Sequence, residues 1–152
     1  VSYVSKVLAL GAIVGFVSAL LASWVGHRYG RIKPIAISSL AMCIAVVLLK
    51  GKPDSTLFML ACQMYFFFWN FSIAFQVGVV VSVDQGGRAA VSIPAFQAIG
   101  LASGPLIGSF IVEDGDFSQL FSLIVFAIGI SFILFFGVIN RAAQAKNAAV
   151  CR

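Results

Sequence analysis

Tyr65, Trp69, Ser72 and Gln76 recur inside a stretch, Leu57 to Val83, that holds no charged residue. At 100° per residue they fall within a sector of about 60° on one helix face. A phenol, an indole, a hydroxyl and a carboxamide can hold an uncharged solute by stacking and hydrogen bonding. They supply no strong acid, base or nucleophile. Gln97 adds a carboxamide in the next apolar run, while Gln63 and Asn70 share a different face of the first. Polar groups deep in an apolar run are costly unless they meet a partner or water. Tyr65, Trp69, Gln76 and Gln97 are therefore the residues expected to line a solute path. The competing reading of the same residues is hydrogen bonding between packed helices.

Other chemistry is thinly supplied. His27 is the single histidine, and Ser103 beside Gly104 has no base at its depth, so an enzyme is not expected. Three cysteines, Cys43, Cys62 and Cys151, give neither a disulfide framework nor metal-ligand spacing, and no cofactor is implied. No carboxylate lies inside any apolar run, so this stretch holds no proton-coupling residue. No Arg or Lys lies there either, which suits a neutral or amphipathic solute.

Cations gather instead at "WVGHRYGRIKP", Trp24 to Pro34, which holds Arg28, Arg31 and Lys33 beside His27. Gly30 permits a tight turn at their centre. The net charge of +5 comes from basic residues scattered over loops and tails. That dispersion makes no stripe for nucleic acid.

These residues need elements to hold them, and composition decides which. The chain of 152 residues is 61% hydrophobic and 10% charged. So few charges cannot cover the surface of a water-soluble domain, and lipid is the expected solvent and partner. Five uncharged runs stand out at residues 7–25, 35–49, 57–83, 90–112 and 117–139. Their lengths suit a hydrocarbon core of about 30 Å, and segments in lipid must satisfy their own backbone, so helices follow. The expected fold is all-α, a polytopic bundle of about five transmembrane helices. Pro34 suits a first helical turn, and Asp54 or Ser55 can cap the third helix. Residues 141–152 read as a polar tail that frays or runs as a short surface helix.

Loops one and three and the tail hold seven of the ten basic residues. The positive-inside rule then puts them, and the C-terminus, in the cytoplasm. Two small-residue ridges, Gly11–Gly15–Ala19–Ser23 and Gly100–Gly104–Gly108, suit close helix packing, with Pro105 placed to bend the fourth helix. The second and fifth runs, apolar almost all round, read as outer, lipid-facing supports.

"GHRYGRIKP" resembles the cytoplasmic loop signature of the major facilitator superfamily, with Arg28, Gly30, Arg31 and Lys33 in the matching places. His27 stands at that signature's acidic position, and Ser23 where it has a glycine. "DQGGRAAVSIPAFQAIGLASGPLIGSFIV" is similar to the family's Asp-to-Arg loop and the Gly-Pro-x-x-Gly helix after it. Asp84, Gly87, Arg88, Gly100, Gly104, Pro105 and Gly108 carry that likeness.

The resemblance covers nearly the whole chain and implies helices eight to twelve of a twelve-helix secondary transporter, part of its C-terminal six-helix half. It implies transport of a small solute by alternating access in an inner membrane, with an N-terminal half of the same transporter as partner. The opening on Val fits a piece of a longer chain, inactive alone. It further implies that Arg28, Arg31, Asp84 and Arg88 act as a cytoplasmic gate, and that the third helix lines a central cavity between halves. The alternative is a small structural or regulatory membrane protein acting on its own.

Overall fold

The computed structural model describes residues 2–50, 53–84, 86–112 and 116–150, without the side chains of residues 2, 27–29, 142–143 and 145–150. Five helices follow in order: α1 (Ser2–Tyr29), α2 (Ile32–Leu49), α3 (Ser55–Val83), α4 (Arg88–Ile111) and α5 (Ser118–Val150). Each carries a span long and apolar enough to cross a membrane. The chain is an all-α, multi-pass helix bundle.

The connections are short and locally determined. Gly30 and Gly87 both adopt φ of +69°, the left-handed conformation that a residue without Cβ enters at little cost. Asp54 caps α3 by accepting from the Leu57 N–H at 3.3 Å. Pro34 sits in the first turn of α2, where its missing N–H breaks no helical bond. The expected polar tail is not a separate segment: α5 runs on through it to Val150. Alanines at residues 142, 143, 145, 148 and 149 favour that continuation. Residues 151–152 of the tail, and 113–115 of the acidic loop, lie outside the described residues.

Helix α3 is the hub and touches all four others. It runs parallel to α1, because contacts rise together along both. Tyr3 donates to the Ser55 carbonyl, and Gln63 Nε2 to the Val7 carbonyl at 2.8 Å. Gly11 then meets Phe66, Gly15 meets Asn70, and Gly26 meets Phe75. Helix α5 shares this direction: residues 65–76 of α3 border one cavity with 124–131 of α5, and Phe75 and Val79 further along pack with Phe132, Phe135 and Ile139. Near their final turns Ala22, Phe75 and Val79 pack with Ile35 at the start of α2, flanked by Phe132, Phe135 and Ile139. Loops one and three and the end of α5 therefore share one face of the bundle.

One expectation holds on one face only. Helix α2 exposes Ile37, Leu40, Ile44 and Val47, as an outer helix does, but packs Pro34, Ile35, Ser38, Ser39, Met42, Ala45 and Val46 against α3 and α5. Its near-uniform hydrophobicity hides the packed face, which is marked by small side chains instead. Ser38 is tolerated there because its hydroxyl donates back to the Pro34 carbonyl at 2.8 Å. Helix α4, by contrast, buries none of its residues.

Candidate functional site

The four residues at helical spacing on α3 do share a face, and that face borders a cavity. Tyr65, Trp69, Ser72 and Gln76 border a cavity of about 340 Å³, open to the surface, with Ser39 and Met42 of α2 and Ile124, Ala127, Ile128 and Ser131 of α5. The space exists because serines and an alanine stand where three helices face one another. It lies mid-way along all three, at the depth where polar groups are most costly. Ser72 is buried, and its hydroxyl accepts from Gln76 Nε2 at 3.1 Å. Ser39 and Ser131 escape a reading of sequence alone because their helices look like outer supports. A serine in an otherwise apolar run is the faint signal that points to them.

Gln97 does not border this cavity. It lines a second one, of about 280 Å³, between α3, α4 and α5, with Gln76, Val80, Phe96 and Phe135 among its walls. Gln76 thus borders both spaces, while Tyr65 and Trp69 border the first without Gln97, so the four residues do not line one space.

The opposite face of α3 follows the competing reading. Gln63 bonds across to α1, and its Oε1 is buried without a hydrogen-bond partner. Asn70 Nδ2 donates to the Phe66 carbonyl at 2.9 Å and lies against Gly15. Tyr65 and Trp69 border α2 and α5 of this same chain, and Trp69 also borders an open groove with Gly11, Gly15, Phe66 and Asn70 on the α1 side.

The two ridges differ. A Cβ at Gly11 would stand 2.7 Å from Phe66 Cδ2, and one at Gly15 would stand 2.8 Å from Asn70 Nδ2. That ridge is the α1–α3 seam. Along α4 the expected seam is not made among the described residues. A Cβ at Gly100 or Gly104 would meet nothing within 4 Å, one at Gly108 would stand 3.9 Å from Leu120 Cδ1, and Pro105 is exposed. Small residues pack only where another backbone comes close, and α4 instead meets the bundle through residues such as Ile93 and Gln97.

At the basic loop, Arg31 borders an open groove of about 470 Å³ between the last turns of α1 and α3, beside Ala22, Gly26 and Gly78. Lys33 is exposed, and the side chain of Arg28 lies outside the described residues. Asp84 plays a structural part, since its Oδ2 accepts from the Ala90 N–H at 2.9 Å at the start of α4. A carboxylate there also complements the positive end of the helix dipole. Arg88, expected opposite it in a gate, is the exposed first residue of α4.

Among the described residues no group of three His, Cys, Asp or Glu could hold a metal ion. Scans against protein-family models, curated proteins and solved structures return no match for this chain.

Proposed function

We propose that this chain moves a small uncharged solute across a membrane by alternating access, as part of a major-facilitator-type secondary transporter. The observation that carries the reading is the mid-depth cavity edged by Ser39, Tyr65, Trp69, Ser72, Gln76 and Ser131. Hydroxyl and carboxamide groups in hydrocarbon are expensive unless they are hydrogen-bonded or meet water or a solute, and Gln76 keeps an N–H and its oxygen beyond its bond to Ser72. The family reading is supported by the loop resemblance, together with left-handed Gly30 and Gly87 at the two loops that carry it. In this reading an N-terminal bundle of the same transporter completes the machine, and these five helices do not transport alone. The basic loop, the third loop and the C-terminus face the cytoplasm, across an inner membrane.

Fluorescence tests the wetness of the cavity directly. The chain has two tryptophans. In a Trp24→Phe variant reconstituted in bilayers, Trp69 alone reports. Acrylamide, a small neutral amide, should quench it, and lipids brominated along their chains should quench it weakly. Strong quenching by brominated lipid with none by acrylamide would mean that Trp69 faces lipid, and the solute reading would fall.

A further inference from the structure

We infer that the two cavities are successive stations of one passage, and that Gln76 is the residue between them that selects the solute; this rests on the transport reading. Among the described residues, Gln76 is the one shared by both linings. The stations are also stacked. On α3 the first is edged from Tyr65 to Gln76 and the second from Ile73 to Val80. At 1.5 Å per residue, Tyr65 to Val80 covers about 22 Å of a hydrocarbon core about 30 Å thick. The second station lies nearer the face shared by loops one and three.

The chemistry at the junction names the class of solute. Gln76 gives one N–H to Ser72. Its second N–H and its carbonyl oxygen remain for a ligand. Gln97 sets another carboxamide on the second station. Among the described residues no Asp, Glu, Lys, Arg or His borders either cavity. An ion entering would lose hydration and gain no counter-charge. The passage therefore fits a small uncharged molecule bearing both donors and acceptors, such as a simple amide or polyol. Turning the Gln76 side chain away from Ser72 would carry such a molecule's hydrogen bonds from one station to the next.

The test uses the full-length protein in liposomes, with Cys43, Cys62 and Cys151 replaced by Ala. A single cysteine is placed in the first station (Ser131→Cys) or the second (Gln97→Cys). The probe is hydroxyethyl methanethiosulfonate, which is neutral, added at the face of loops one and three; its trimethylammonium analogue is the cationic control. Both cysteines should react with the neutral probe, and Ser131→Cys at least tenfold more slowly with the cation. Gln76→Leu should slow Ser131→Cys at least tenfold and leave Gln97→Cys within threefold, which also certifies folding. Gln76→Asn should keep most of the rate, and Gln76→Met replaces Gln76→Leu if the latter does not fold. An unchanged Ser131→Cys rate in the apolar variant would overturn the junction while leaving transport standing. No reaction at either cysteine from either face would remove both.

Discussion

Phe66 lies on Gly11 so closely that a Cβ added to the glycine would stand 2.7 Å from the ring's Cδ2. One turn on, Gly15 holds Asn70 in the same way. This seam fixes α1 against one face of α3. The opposite face turns towards α2 and α5, where the cavity is, with Trp69 at the boundary between the two sides. Packing on one side of α3 and chemistry on the other are two results of one helix orientation.

Gly11→Ala should cost about 1–3 kcal/mol, the usual range for overpacking a close contact. Gly104→Ala should stay within about 0.5 kcal/mol, because its Cβ position is open. Reversible unfolding in mixed micelles measures both, and Phe66→Ala should recover part of the Gly11→Ala loss in a double-mutant cycle. A Gly104→Ala penalty equal to that at Gly11 would show that α4 meets a partner outside this bundle.

The five helices were legible in the sequence because their signal is simple: long runs without charge, broken by glycine, proline and acidic caps. Which helix sits inside was not. Helix α2 and helix α5 are almost equally apolar, so hydropathy gives no face, and burial is decided by side-chain size at Ser38, Ser39 and Ala45. The candidate site was half legible. Tyr65, Trp69, Ser72 and Gln76 follow from helical periodicity on one element, but Ser39 and Ser131 join them only through the way three helices pack. Asp84 is deceptive for a related reason. A loop carboxylate four residues before an arginine looks like an ion pair in sequence, while in space its donor is a backbone N–H.

Gln63 offers a sharper test of polar packing. Its single bond to the Val7 carbonyl is worth about 0.6 kcal/mol in a bilayer. Its buried Oε1 has no partner and works against that gain. Gln63→Met, close in shape, should therefore change stability by less than about 1 kcal/mol in the same unfolding assay. A loss above about 2 kcal/mol would mean that Oε1 is satisfied in the bilayer by a group such as a bound water.

If Asp84 serves the helix rather than a gate, Asp84→Asn should keep the bond to Ala90 and cost little. Asp84→Ala should cost about 1 kcal/mol, as for other lost caps. Arg88→Gln, at an exposed position, should stay within about 0.5 kcal/mol and leave transport unchanged. Comparing unfolding and transport across the three variants separates the roles. Equal transport defects in Asp84→Asn and Arg88→Gln, with stability unchanged, would restore the ion-pair gate.

The shared face of loops one and three makes a joint prediction about sidedness. Contacts between α1 and α3 run in parallel, so Lys33 and Arg88 must lie on one side of the membrane and Ser55 on the other. That much is geometry and holds whichever way the bundle is inserted. The seven-to-three bias of basic residues predicts the direction, cytoplasmic for loops one and three. In a cysteine-free background, Lys33→Cys and Arg88→Cys should resist an impermeant maleimide applied to intact cells and react after the membrane is opened. Ser55→Cys should react from outside. If all three react in the reverse pattern, the bundle stands but its insertion is inverted, and the basic loop cannot be a cytoplasmic gate. If Lys33→Cys and Arg88→Cys lie on opposite sides, the parallel seam between Gly11 and Phe66 is wrong, and the cavity assigned to the other face of α3 falls with it.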